Sequence, residues 1–70
     1  MYSVVVKSLE YTHWPVFVEW DPDVMAFDEY VMSLHPEVLS MDQQFAEHTV
    51  VRKFVFESED HYRWFLLKVM

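Results

Sequence analysis

Cysteine, glycine and asparagine are all missing from this chain of 70 residues. Without cysteine there is no disulfide staple and no thiolate chemistry. Glycine and asparagine enter positive φ most cheaply, and two-residue type I′ or II′ hairpins lean on them. Turns are therefore expected to be longer and built on type I geometry, and helices to end without a glycine cap. A backbone that cradles a phosphate closely also needs glycine, so a P-loop and a Rossmann fingerprint are excluded. Long apolar runs are missing as well: the longest are three or four residues, against about 20 for a membrane-spanning helix. The N-terminal MYSVVVKSLEYTHWP has neither a basic leader nor a small-residue cleavage site, so no signal peptide is expected.

Positive charge is scarce and unevenly placed. The net charge is −7, and no Lys or Arg stands between Lys7 and Arg52. That interval holds Glu10, Glu19, Asp21, Asp23, Asp28, Glu29, Glu37, Asp42 and Glu47. Affinity for nucleic acid or anionic lipid comes mainly from Lys and Arg, so neither is an expected partner. A basic protein surface matches better. The plainer reading is that the charge keeps an aromatic-rich small protein in solution.

What is present is apolar and aromatic. Hydrophobic residues make up 53% of the chain and aromatics 19%, including Trp14, Trp20 and Trp64. That composition excludes disorder and fits one domain over residues 1–70, near the lower size limit for folding alone.

Residues 2–9, YSVVVKSL, are β-branched and predict a first strand. WPVFVEW at 14–20 predicts a second, with Pro15 at its start. Asp21 stands where an N-cap belongs, with Pro22 at the first helical position and Asp23 in the first turn, so a helix is expected over 22–34. Its core stripe is Val24, Phe27, Tyr30, Val31 and Leu34. Asp28 and Glu29 fall off that stripe, and Met25 and Met32 lie beside the acids as a half-exposed methionine ridge. His35-Pro36 ends the helix. Leu39, Met41 and Phe45 then alternate with polar residues, and VVRKFVFE returns after the turn AEHT, giving a hairpin with a connection of about four residues. Ser58 caps a last helix whose core stripe is Tyr62, Phe65, Leu66 and Val69. Trp64 and Leu67 point away from it. The expected fold is α+β in two layers, a four-stranded, largely antiparallel sheet with two helices on one face, ββαββα. The alternative joins the first two strands into one long bent strand, a truncated ferredoxin-like βαββα.

Chemistry-bearing patterns are thin. An EF-hand loop begun at Asp21 has Met25, Ala26 and Met32 where ligands and glycine are required. His13, His35, His48 and His61 lack the close ligand pairs of zinc sites. No serine stands in a nucleophile elbow, and a domain this small rarely spares a desolvated catalytic cavity. No metal, cofactor or catalytic residue is assigned. The sheet is expected to leave one face uncovered, with some of Val5 or Val6, Phe17, Val51 and Val55 on it. Exposed apolar clusters mark interaction sites, and a small core without disulfides gains from oligomerisation, a homodimer first.

The C-terminal VVRKFVFESEDHYRWFLLKVM resembles the ending of small uncharacterised accessory proteins from tailed, T4-like bacteriophages. The likeness rests on Phe54, Phe56, Glu57, Glu59, Asp60, Phe65, Leu67 and Lys68. It implies a phage accessory protein that acts by binding something, such as a host protein, in the host cytoplasm. The reading reached from sequence is a small acidic, non-enzymatic protein-interaction module, with Trp64, Leu67, Met25, Met32, Asp28 and Glu29 as its partner-binding residues. The alternatives are a DNA-mimic inhibitor of a nucleic-acid enzyme and a small-molecule or metal-dependent enzyme.

Overall fold

The computed structural model describes residues 1–69. Strand β1 (Tyr2–Lys7) leads into three helices, α1 (Ser8–Tyr11), α2 (Pro15–Val18) and α3 (Phe27–Leu34). Strands β2 (Val38–Ala46) and β3 (Thr49–Phe56) follow, and helix α4 (Glu59–Val69) closes the described chain. The sheet has three strands in the order β1-β3-β2. Both outer strands run antiparallel to β3, so they lie parallel to each other across it. The α+β class holds, but the sheet has three strands where four were expected. The order of strands and helices is closer to the βαββα alternative.

The missing strand is WPVFVEW. It forms α2, with Pro15 at the first helical position and Trp14 extended before it. A proline there loses no hydrogen bond, and its fixed φ suits a helix start. Packing decides against the β preference of the valines. Trp14 meets Phe54 and Phe65 edge-on at 5.9 and 5.8 Å, and Phe17 meets Tyr11 and Phe27 at 5.6 and 5.2 Å. A strand at 14–20 would send alternate rings to opposite faces and lose half of these contacts.

Helix α3 is shorter than expected at its start. Asp21 does not cap it; its Oδ1 accepts from the Asp23 amide at 2.9 Å, and the Val24 amide bonds the Asp21 carbonyl at 3.1 Å. These residues close a separate turn, and Ala26 becomes the N-cap with no side-chain hydrogen bond. The far end is as expected: the helix stops at Leu34, and His35 leaves helical geometry ahead of Pro36.

The hairpin connection also departs from expectation. The loop is two residues, Glu47 at φ 51° and His48 at φ 67°, the dihedral signature of a type I′ turn made without glycine or asparagine. The strand register pairs Met41 with Phe54 and Ala46 with Thr49, which leaves only two residues to turn the chain. The twist of the strands then selects the left-handed turn.

All four helices lie on one sheet face, where their buried residues join those of the strands in a single cluster. Phe54, Phe56, Phe65, Val31 and Val69 are its most deeply enclosed side chains. Phe65 reaches Phe54 and Phe56 at 5.5 Å each. Truncating one such ring costs about 3–5 kcal/mol.

Candidate functional site

Helix α4 starts on Ser58. Its Oγ accepts from the His61 amide at 3.4 Å, and its carbonyl accepts from the Tyr62 amide at 3.4 Å. Glu59 and Asp60 occupy the first turn and Lys68 the last, matching the helix dipole at both ends. Phe65 and Val69 face the core, with Tyr62 and Leu66 half-buried beside them. On the opposite face, Asp60, Trp64 and Leu67 form one stripe at i, i+4 and i+7. Trp64 is 54% exposed and Leu67 83%. The His61 ring stands edge-on to Trp64 at 5.0 Å. The two cations that flank the stripe are already held: Arg63 donates to Glu59 at 3.1 Å and Lys68 to Glu37 at 2.7 Å. Asp60 has no ion-pair partner among the described residues.

The other sequence-nominated residues do not join this stripe. The Met25 carbonyl accepts from the Trp20 indole N–H at 2.8 Å, so this half-buried residue belongs to the turn before α3. Met32 is half-buried against the core. Both methionines are half-exposed as expected, but they do not form one ridge, because Met25 precedes α3 and only Met32 lies on it. Leu34 and Val24, assigned to the core from sequence, are exposed instead. Glu29 is exposed, while half-buried Asp28 lines a cleft with Trp20, Phe27, Met41, Gln43 and Arg52. Trp64 and Leu67 line neither that cleft nor a larger groove on the molecule.

That groove, about 650 Å³, runs between the first helices and α4, with Val6, Leu9, Trp14, Pro15, Tyr62 and Leu66 as its apolar lining. Burial, with the nearby Tyr2 and Glu10, pushes the Tyr62 phenol above its ordinary value. Nothing in the groove forms a nucleophile–base pair.

Two features escaped the sequence reading. The Arg52 guanidinium sits over the rings of Phe27 and Tyr11 at 4.9 and 5.4 Å, and its buried Nε has no hydrogen-bond partner among the described residues. At the far end of the sheet, Glu37 is gripped by Lys68 with His35 4.0 Å away. The two partners of that ion pair stand 31 residues apart in sequence, so no local pattern announces them. Among the described residues, no three His, Asp or Glu side chains converge as a metal site, and no helix is long and apolar enough to cross a membrane.

The uncovered sheet face is less oily than expected. Val5 is 53% exposed and Val55 half-buried, but Val51 is buried, and Val6 and Phe17 pack on the helical side. The register sets Lys7 beside Val51 and Lys53 beside Val5 and Asp42, so polar groups share this face. Comparison with protein-family models, with curated proteins and with solved structures returns no match.

Proposed function

We propose that this chain is a small acidic protein-interaction module without catalytic activity, which binds a basic protein surface through the outer stripe of α4. The observation that carries the reading is the exposure of Trp64 and Leu67 on a helix whose inner face is committed to the core. An exposed tryptophan is a typical interface anchor, and Leu67 one turn away extends its apolar surface. The electrostatics point the same way. Arg63 and Lys68 are neutralised by Glu59 and Glu37, which leaves the stripe apolar with Asp60 as its free charge. The resemblance of β3 and α4 to phage accessory proteins suggests a host protein as the partner, met in the host cytoplasm.

The test is capture from host extract with the wild-type chain and with Trp64→Ala/Leu67→Glu, read by mass spectrometry and followed by titration of the recovered protein. Loss of the anchor is expected to weaken binding by about 2 kcal/mol or more, with circular dichroism unchanged because both side chains lie outside the core. Equal recovery by both chains would overturn the proposal.

A further inference from the structure

Strand β2 is an outer strand of the sheet, and seven of its nine residues are exposed. Outer strands are usually kept from pairing by charged side chains, lysine above all, by proline or by bulges. Here there is no proline or lysine, Asp42 is the one charge, and the one irregularity is confined to the Val38–Ser40 end. A two-residue loop closes on a hydrogen-bonded pair, Ala46 with Thr49, so by alternation Asp42 and Gln44 bond β3. Met41, Gln43 and Phe45 therefore turn their N–H and C=O groups to the open side. Their side chains share the helical face. Phe45 is 81% exposed there, while Met41 and Gln43 floor the cleft of about 260 Å³ beside Arg52.

We infer that a second copy of this chain occupies this edge, the two β2 strands pairing antiparallel about a two-fold axis at Gln43. The register follows from the regular stretch of β2, Ser40–Ala46. An axis at any residue other than its centre, Gln43, shortens the overlap, and an axis at Asp42 would also set two carboxylates directly opposite each other. An axis at Gln43 pairs all seven residues of the stretch and brings the outward groups of both strands together. Asp42 then faces the partner's Gln44, a carboxylate opposite an amide donor. Met41 faces the partner's Phe45, whose ring leaves solvent for the mouth of the cleft. There it meets a thioether, which packs well on aromatic rings, and the Arg52 cation, which has no ion pair among the described residues. Although each chain carries −7, Asp42 is the only charged residue in the paired segment, so repulsion is low where the copies meet. This edge lies apart from the α4 stripe, and the inference stands independently of the function proposed above.

Sedimentation of the full chain over a concentration series tests it. A species of twice the 8.6 kDa chain mass is expected. Phe45→Lys alters an exposed side chain, and Gln43→Pro removes an outward N–H at the kind of edge position where proline is tolerated; each is expected to weaken association about tenfold or more with the strand and helix content by circular dichroism retained. Trp64→Ala is expected to leave the dimer intact. In a chain free of cysteine, mild oxidation is expected to cross-link Gln43→Cys and not Val5→Cys. A monomer at every concentration would overturn the inference. So would a dimer indifferent to Phe45→Lys and Gln43→Pro, one dissolved by Trp64→Ala alone, or cross-linking of Val5→Cys in preference to Gln43→Cys.

Discussion

Glu47 and His48 turn the hairpin at φ 51° and 67°, where a side chain costs roughly 1–2 kcal/mol per residue relative to the usual regions. The pairing of β2 with β3 offsets that strain. Glu47→Asn with His48→Gly supplies the residues that the turn geometry favours, and is expected to stabilise the fold by about 1 kcal/mol. The urea midpoint should rise with the slope unchanged; a fall would show that the turn is not left-handed. His35 offers a second residue-scale test. Burial pushes its imidazole down, against the pull of Glu37 and with the push of Lys68, to a net position below the ordinary 6.5. Burial raises the Glu37 carboxyl, but hydrogen bonds from Lys68 and backbone, with the charges of Lys68 and His35, outweigh it and hold Glu37 low. Both folded-state values are depressed. Each contribution is therefore complete above the unfolded value and lost as pH falls through the folded one. Stability is expected to decline from pH 7 to pH 5 through His35, then again through Glu37 at lower pH. His35→Phe keeps the ring against Phe65 and should flatten the first decline, as read from urea midpoints at the two pH values.

At the scale of elements, the two longest helices begin differently. Helix α4 has Ser58 over its free amides, whereas α3 begins at Ala26 with no side-chain acceptor. Ser58→Ala should cost about 1 kcal/mol and Ala26→Ser should gain about as much. Chemical denaturation of the two variants would check both signs. The contrast also explains what could be read from sequence. Helix α4 and strand β3 were legible because local signals agreed: Ser58 with acids behind it, Phe65 and Val69 at helical spacing, alternation in β3. In β2 the alternation located the strand but set Leu39, Met41 and Phe45 inward together, whereas only Met41 is buried, with an irregularity at Val38–Ser40 beside Leu39. The stretch from Trp14 to Trp20 was not. Its valines favour a strand and its proline favours a helix start, and short apolar runs do not separate the two by period. Contacts from Phe54, Phe65 and Phe27, distant in sequence, settled it. The start of α3 misled for a related reason, since Asp21-Pro22-Asp23 suits a lone turn as well as a helix cap. Of the nominated surface residues, Trp64 and Leu67 were readable from α4 alone. Met32 and Asp28 were not, because their surroundings come from the packing of α3 on β2.

At the scale of the whole molecule, helices on one side and a mixed polar face on the other leave few places to hide aromatic surface, and the three tryptophans end at three depths. Trp14 is enclosed between Phe54 and Phe65, Trp20 is half-covered and tied to the Met25 carbonyl, and Trp64 stands in the open against His61. The molecule thus carries its own optical depth gauge. Acrylamide should quench mainly the reddest part of the emission, and Trp64→Phe should remove that part. Any molecule that settles on α4 should shift the same part toward the blue while the signal of Trp14 stays still, so contact at the surface can be followed without attaching a dye.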